Sequence, residues 1–557
     1  MPTALVLAPD GGGELQALDR AGDVVGPLHP LSCARTDVAD MERRSAPRWV
    51  LAEVASGYPL LARHGVRLAR CHDVASTEAL LLAADGAAAD AAAVNAGRAE
   101  AAGAMPAESP QPSLFDDPAE DGDIDRSGAL RRWRLESTDV AALAAAYADQ
   151  VGRLERLLQR LPGLGLLVAA ESASCLAAVE MTLTGLPWEA STHDRLLVDL
   201  LGARPPSAGV RPAKLQALAE SAAQALDDPR VNLDSQADVL RSLRRAGLPV
   251  TSTRRSELRR VDHPAIEPLV RYRELARLHA AHGWAWRDQW VREGRFHPEY
   301  VPGGVVSGRW ATRGGGALQI PKAVRAAVVA PPGRLLVVAD AGQLEPRVLA
   351  ALAHDPGMLA ATAEGDLYTA LAREALGRPA ARAEMKVALL SAMYGGGAGS
   401  PALTALRRRF PAALALLEEA ARTGEAGGSV HSILGRTSPA APPDWLSGTT
   451  DAAAGARSRA YGRFTRNFVV QASAADWAAV LLATLRLGLA GLRAGGAFAE
   501  LVFFQHDEVI VEVDMHLAKA ATAVVADAGA TATRLVLGDV DVQIPLEARA
   551  VRSYADA

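Results

Sequence analysis

Lysine is scarce in this chain: of 59 cationic residues only four are lysines, and the rest are arginines. The four are Lys214, Lys322, Lys386 and Lys519. Lysine is a compact, titratable donor and arginine is not, so a lysine retained in such a chain is a candidate for chemistry. The alternative, chance survival of a lysine codon, accounts for most of the four.

Cysteine and membrane-type segments are also lacking. Cys33, Cys71 and Cys175 are far apart and form no Cys-x-x-Cys pair, which argues against a zinc site and a disulfide framework. The N-terminus has no basic segment followed by an apolar stretch, and no long charge-free apolar run occurs elsewhere. The sequence therefore predicts a cytoplasmic protein without a membrane segment.

Charge is distributed unevenly along the 557 residues, which are too many for one hydrophobic core and suggest about three domains. Residues 1–128 carry 20 acidic and 10 basic side chains, a net charge of −10. The remainder carries 44 acidic and 49 basic side chains, a net charge of +5. A basic C-terminal body is consistent with a domain that binds a polyanion.

The sequence pattern divides the chain into four regions. Residues 1–85 are typical of a small α/β unit, with strands predicted at Thr3-Ala-Leu-Val-Leu7 and Trp49-Val-Leu-Ala52. Residues 86–128 are alanine-rich and then acidic and proline-rich, and this composition predicts a disordered linker. Residues 129–295 are predicted to be helical, with helix-start signals at Asn232-Leu-Asp-Ser235 and at Pro264.

Residues 296–557 run from strand through many helices to a strand pair, which predicts an α+β fold with an antiparallel sheet. Two apolar strands in this region each lead into an aspartate. They are Leu335-Leu336-Val337-Val338-Ala339-Asp340 and Val502-Phe503-Phe504-Gln505-His506-Asp507. A carboxylate at the end of a buried strand is costly unless a cation compensates it, so paired strands of this kind predict a two-metal phosphoryl-transfer site.

A helix with two cations lies between these strands. Pro379 suits its first turn and Gly395-Gly396-Gly397 would end it. Arg382 and Lys386 are four residues apart and share one face, where they could bind successive phosphates. Taken alone, a surface helix with two solvated cations is the favoured interpretation.

The motifs together resemble those of the family A DNA polymerases. Asp340-Ala-Gly-Gln-Leu-Glu345-Pro-Arg347 resembles motif A, usually Asp-Tyr-Ser-Gln-Ile-Glu-Leu-Arg. Arg382-x3-Lys386-x7-Tyr394-Gly395 resembles motif B, and Gln505-His506-Asp507-Glu508 resembles motif C. Order and spacing agree. Further matches are Ser307-Gly308-Arg309, Leu318-Gln319-Ile320-Pro321, Arg463, Asn467 and Gln471-Ala-Ser-Ala-Ala-Asp476.

The resemblance implies a right-hand polymerase, with an antiparallel palm sheet, helical fingers and a helical thumb at about 129–295. It implies that Asp340, Asp507 and the Ala341 carbonyl ligate two Mg²⁺ ions, with Mn²⁺ as an alternative. Glu508 would tune or orient the metals, with a strand-edge carboxylate as the alternative role. Arg382 and Lys386 would hold the triphosphate of an incoming dNTP.

The resemblance also assigns the surroundings of the nucleotide and the DNA. Glu345 would fill the space that a 2′-hydroxyl needs, and Gln343, Leu390 and Tyr394 would lie by the nucleotide. Contacts to primer–template DNA would come from Arg309, Arg347, Arg463, Asn467, Gln471 and His506. For His506 a turn histidine that bonds backbone is the alternative. A monomeric, nucleoid-associated enzyme is expected.

Several positions depart from the family pattern. Ala341, Gly342 and Pro346 replace Tyr, Ser and Leu, Leu389 replaces Asn, and Leu390 stands where an aromatic side chain normally packs by the sugar. Each change removes packing around the nucleotide and leaves the charges in place. The sequence therefore predicts an active polymerase with altered sugar selection.

The N-terminal region is interpreted as a degenerate 3′–5′ exonuclease-like domain, and no 5′-nuclease domain is expected. Residues 1–85 contain no Asp-x-Glu, and the final Tyr-x3-Asp is represented only by Tyr147-Ala148-Asp149. The resemblance implies that an active exonuclease domain holds its two metals with three or four converging carboxylates, which this region lacks. The alternatives are a bifunctional polymerase with active exonuclease and a non-catalytic scaffold that binds primer–template DNA.

One short motif lies in the linker. Gln111-Pro112-Ser113-Leu114-Phe115 resembles the Gln-Leu-x-Leu-Phe peptide that binds the bacterial sliding clamp, with Pro112 in place of Leu. Leu114 and Phe115 would enter an apolar pocket and Gln111 would add a hydrogen bond. An incidental linker sequence is equally consistent with the pattern.

Overall fold

The computed structural model describes residues 4–7, 14–18, 29–30, 34–86, 140–207, 209–313, 316, 320–396, 400–442, 445–447 and 449–557. The chain forms two compact units. The first unit comprises Met1–Leu183, Tyr300–Thr312 and Val337–Ala550, and the second comprises Thr184–Glu299, Arg313–Leu336 and Val551–Ala557.

A five-stranded sheet forms the N-terminal part of the first unit. Its strands, in spatial order, are His29–Pro30, Glu14–Leu18, Ala4–Leu7, Arg48–Leu51 and Arg70–Asp73. The first three strands pair antiparallel and the last three pair parallel. Both strands predicted from the sequence are present. The helices of this part are Ala34–Ser45, Val54–Arg63, Val74–Ala84, Val140–Leu157 and Leu164–Thr184.

Both faces of this sheet are covered by helices. Successive strand residues point to opposite faces, so Trp49 and Leu51 pack with Leu176 on one face. Val50 packs with Val140 on the other. The helices Val140–Leu157 and Leu164–Thr184 therefore pack on this sheet, and the first unit extends to Leu183.

The second unit is mainly helical, as expected for the region up to residue 295. Ser235 caps the helix Gln236–Arg245 by accepting from the Asp238 amide, so the helix start predicted there is confirmed. The helices are Ala190–Leu201, Ala213–Ala225, Gln236–Arg245, Arg255–Leu258, Ile266–His282 and Trp284–Trp290. A small sheet is formed by Leu186–Pro187, Arg295–Phe296 and Val291–Arg292.

The second half of the chain contains a four-stranded sheet. In spatial order its strands are Ala499–Gln505, Glu508–Asp514, Arg334–Ala341 and Leu546–Val551. Strands Glu299–Val301 and Ala311–Arg313 pair separately. The remaining helices are Leu344–Ala353, Pro356–Thr362, Leu367–Leu376, Arg382–Tyr394, Pro401–Arg409, Pro411–Glu425, Asp451–Ala490 and Ala518–Leu537. The predicted α+β class is confirmed.

Three helical segments are long and apolar enough to cross a membrane by length and composition: Leu164–Thr184, Asp451–Gly496 and Met515–Leu537. The apolar windows of the first two are 72% and 78% buried inside the protein. Both helices also hold buried charges: Glu180 of the first accepts hydrogen bonds from Arg486 of the second at 2.7 and 2.9 Å. Their apolar surface is thus used for internal packing.

Candidate active site

Two aspartates lie at neighbouring strand ends of the four-stranded sheet. Val337 to Ala339 are buried, and Asp340 emerges at the end of its strand. Asp507 occupies the two-residue turn between Ala499–Gln505 and Glu508–Asp514. The Ala341 amide donates to the Asp507 carbonyl at 3.0 Å, which fixes the two strand ends side by side. The predicted juxtaposition of Asp340 and Asp507 is therefore present.

The electrostatics of this pair favour a cation. Burial, together with the negative charges of Asp340 and Glu345, raises the pKa of Asp507 to about 8, while Arg309 acts in the opposite direction. Among the described residues no group of three or more His, Cys, Asp or Glu could hold a metal by itself. Two carboxylates fit Mg²⁺, which commonly takes its remaining ligands from substrate phosphates and water.

Glu345 is held by two partners from distant parts of the chain. Arg309 forms an ion pair with it, and the Tyr394 hydroxyl donates to its Oε2 at 2.7 Å. Burial and the neighbouring Glu345 charge raise the pKa of Tyr394, so this hydroxyl remains a donor. Glu345 is thereby fixed five residues after Asp340, at the position predicted to select the sugar. Arg309, predicted to contact DNA, here binds Glu345.

The helix that carries Arg382 and Lys386 has the expected ends. A short helical turn, Pro379–Ala381, precedes it, and Gly395 ends it with a φ of +80°. Arg382 and Lys386 both approach the ring of Tyr368, at 5.7 and 5.9 Å from its centroid. Leu390 is half-buried on the same helix.

Tyr368 is a site residue that sequence reasoning missed. Its side chain is 5% exposed, and burial, together with the charges of Glu345, Asp366 and Asp507, raises its pKa to about 12. Arg382 acts in the opposite direction. The ring therefore lies within electrostatic reach of both the cations and the carboxylates. Only its place two residues after a helix-capping aspartate distinguishes it in the sequence.

Asp366 was also missed. Arg382 donates to its Oδ2 from Nε and Nη2, at 2.9 and 2.7 Å. Gln343 donates to the same oxygen at 3.0 Å and accepts from the Leu367 amide at 2.8 Å. Burial opposes ionisation, but the hydrogen bonds from Arg382 and Thr369 outweigh it and hold the pKa of Asp366 at about 2.

Arg347 does not fit its predicted role. Its side chain is fully buried and donates to the carbonyls of Gly342, Thr362, Gln543, Glu364 and Gly365. A guanidinium bonded in this way ties chain segments together. The prediction that Arg347 contacts DNA is corrected, because this guanidinium reaches no surface.

The other predicted DNA contacts lie on the long helix Asp451–Ala490 and on the turn. Gln471 Oε1 accepts from the Ser307 hydroxyl at 2.6 Å. Asn467 Oδ1 is buried without a hydrogen-bond partner among the described residues. Arg463 packs on Gly395, where an added Cβ would lie 2.5 Å from its Cγ. His506 is exposed with a φ of +58°.

Asp476, which matched the family pattern, is buried, and its Oδ1 forms an ion pair with Arg436 Nε at 3.0 Å. Glu508 begins its strand and is half-buried. The motif residues Leu318 and Gln319, and Gln111, Leu114 and Phe115 of the clamp-like peptide, lie outside the described residues.

The corresponding edge of the five-stranded sheet holds a different arrangement. Asp73 ends its strand, and its carboxylate accepts from the Val54 and Ser76 amides, each at 2.7 Å. His72 bonds Gln150 at 2.8 Å, and Gln150 in turn donates to Glu78 at 2.9 Å. Burial lowers the pKa of His72 to about 4, so this imidazole is neutral.

Paired strand-end aspartates close to a helix that carries two cations are a set of groups suited to metal-dependent phosphoryl transfer. A family model described as DNA polymerase family A matches residues 211–556. The chain therefore belongs to DNA polymerase family A, and the resemblance is confirmed.

Curated relatives are bacterial polymerases. The chain is 28% identical over 310 residues to DNA polymerase I of Chloroflexus aurantiacus, covering 51% of this chain and 32% of that protein. It is 25% identical over 452 residues to the thermostable DNA polymerase I of Thermus thermophilus, covering 72% and 50%. The chain thus spans about a third to a half of the length of these relatives.

A solved structure shares the fold. The POL domain of Pol1 from M. smegmatis, in complex with DNA primer-template and dNTP, matches with a TM-score of 0.68 and 19% identity. The match covers 100% of this chain and 95% of that chain. At this identity the likeness establishes the fold alone.

Proposed function

We propose that the chain is a template-directed DNA polymerase that adds dNTPs to a primer 3′ end by two-metal phosphoryl transfer, without proofreading. The observation that carries the proposal is the carboxylate pair Asp340 and Asp507, fixed by the Ala341–Asp507 backbone bond, together with Tyr368. Burial and the nearby negative charges, that of Asp507 among them, raise the pKa of Tyr368, and Arg382 and Lys386 lie over its ring. Carboxylates for metals and cations for phosphates thus share one small region.

Asp340, Asp507 and the Ala341 carbonyl would hold two Mg²⁺ ions, with Mn²⁺ as an alternative. Bound metals supply activation of the primer hydroxyl and stabilisation of the transition-state charge. Arg382 binds the triphosphate as a fork, and Lys386 binds it as a point charge that can protonate the leaving pyrophosphate. Glu508, next to Asp507, would tune or orient the metals.

Sugar selection falls to Glu345 and its surroundings. Arg309 and Tyr394 fix the carboxylate, so it fills the space of a 2′-hydroxyl without swinging away. Leu390 offers less contact to the sugar than an aromatic residue would. A polymerase with intact metal and phosphate ligands and a looser sugar pocket follows.

The partners are primer–template DNA and dNTPs. Arg463, Asn467, Gln471 and His506 contact the primer terminus or the minor groove, where acceptor atoms recur in every base pair. The proposal also includes binding of the sliding clamp through Gln111, Leu114 and Phe115. The enzyme would be a monomer with a cytoplasmic, nucleoid-associated location.

One experiment tests this proposal against its two alternatives, a bifunctional polymerase with active exonuclease and a non-catalytic scaffold that binds primer–template DNA. Primer extension is measured for the wild type and Asp340→Asn, alongside degradation of a 3′-labelled single strand without dNTPs. Extension by the wild type alone, with no degradation, supports the proposal. Degradation would favour the bifunctional enzyme, and absence of both activities with retained DNA binding would favour the scaffold.

A further inference from the structure

We propose that Asp366 is a competing anion that holds Arg382 while the nucleotide site is empty, so that an entering triphosphate must displace it. The inference rests on the proposed function, in which Arg382 binds the triphosphate. It assigns to Asp366 the role of a positioning residue that sets how much negative charge a ligand needs. Asp366 itself touches neither the nucleotide nor the metals.

The carboxylate of Asp366 is the fixed partner of this ion pair. Its Oδ1 accepts from the Thr369 amide at 2.7 Å and caps the helix Leu367–Leu376. Its Oδ2 accepts from Gln343 Nε2 at 3.0 Å, and Gln343 is itself anchored by the Leu367 amide. Removing Arg382 would leave all of these bonds intact, so the carboxylate stays in place when Arg382 leaves.

Arg382 is the mobile partner. It is the first residue of its helix, and its side chain is 47% exposed. Its guanidinium also lies over the Tyr368 ring, which Lys386 shares. The ring gives both cations one apolar support, so Arg382 can turn from Asp366 to a phosphate without losing that contact.

The arrangement favours polyphosphates over monophosphates. A ligand that displaces Asp366 from Arg382 must bind the guanidinium more strongly than this carboxylate does. It must also bind next to the negative charge of Asp366, which stays in place. A triphosphate or pyrophosphate group, which engages Lys386 as well, meets this condition, whereas one phosphate group competes poorly. The ion pair is half-exposed, so the expected effect is modest.

The test uses the full chain and two variants. Asp366→Asn keeps the helix cap and the side-chain size, and Asp366→Ser keeps the cap but is too short to reach Arg382. Glu364→Gln is the matched control, because Glu364 lies two residues away but pairs with Arg373 at 3.0 Å. Binding of inorganic tripolyphosphate is measured by calorimetry without DNA, and the dNTP KM and kcat are measured by primer extension.

Both Asp366 variants should bind tripolyphosphate about two- to fivefold more tightly and lower the dNTP KM by a similar factor, with a smaller change in kcat. Glu364→Gln should match the wild type. Unchanged or weaker tripolyphosphate binding in both folded variants, as judged by thermal unfolding, overturns the proposal. If binding tightens but the wild type extends no primer, the proposed function fails and this inference stands.

Discussion

The five-stranded and the four-stranded sheet both end strands in aspartates, but the groups around these side chains differ. In the five-stranded sheet Asp73 accepts two backbone amides, and the polar groups around it pair with one another. Burial raises the pKa of Asp73 as well as that of Asp507, but in the four-stranded sheet the negative charges of Asp340 and Glu345 add to this effect and raise the pKa of Asp507 to about 8. A satisfied carboxylate contributes to the fold, whereas a repelled one marks a place for a cation.

The difference also bears on the expected lack of proofreading. The strand-end polar groups of the five-stranded sheet are occupied by bonds within the protein. His72, Gln150 and Glu78 form a continuous chain of hydrogen bonds, and Arg153 pairs with Glu78 at 2.7 Å. Both oxygens of the Glu78 carboxylate are therefore already bonded within the protein.

The largest expected effect is on primer extension, and it should follow from removal of a carboxylate at the four-stranded sheet but not at the five-stranded sheet. Asp340→Asn should lower the rate of primer extension about 10³-fold or more, because it removes a metal ligand from charge-stabilised phosphoryl transfer. Asp73→Asn, which can still cap its helix, should leave the rate unchanged. The measurement is single-turnover extension with Mg²⁺. Equal losses in both variants would erase the comparison.

The next effect concerns stability at the five-stranded sheet. Gln150→Ala removes the hydrogen bonds that Gln150 forms with His72, Glu78 and the Val74 carbonyl and should cost about 3 kcal/mol of unfolding free energy. Gln216→Ala, which removes an exposed bond to Glu220, should change little. Denaturant unfolding compares the two variants. A Gln150 variant as stable as the wild type would show that the network is not structural.

How far the sequence leads can be judged from particular residues. Asp340, Asp507 and the ends of the helix Arg382–Tyr394 were predictable, because strand apolarity, Pro and Gly are local signals. Asp366 and Tyr368 were not, because their roles depend on a helix that begins 14 to 16 residues later. Arg347 was misassigned since one of its acceptors, Gln543, lies 196 residues away.

A smaller effect should appear in the metal-free protein. The pKa of Asp507 is raised from 3.8 to about 8 in the folded state, so the folded protein loses stability as pH rises through this interval. Asp507→Asn should therefore raise the unfolding free energy by about 2 kcal/mol at pH 8 and by nothing at pH 4. Thermal unfolding in chelator at both pH values measures this.

Metal provides the control for that prediction. Mg²⁺ should stabilise the wild type against unfolding and should have a weaker effect on Asp507→Asn, because a bound ion stabilises only the state that ligates it. A destabilised Asp507 variant at pH 8 would mean that the carboxylate is satisfied like Asp73. The two sheet edges would then no longer differ.

The smallest expected effect concerns sugar selection rather than charge. Leu390 is half-buried on the helix that carries Arg382 and Lys386, and Leu390→Phe adds bulk where the sugar is expected to pack. The preference for dNTP over dideoxynucleotide, measured as a ratio of kcat/KM values, should rise about tenfold, the usual worth of one apolar contact. Val387→Phe, on the same helix but 66% exposed, is the matched control and should leave the ratio unchanged.

An equal response from both variants would place Leu390 outside the pocket. A response from Leu390→Phe alone would separate substrate selection from the metal and phosphate ligands, which the variant leaves untouched.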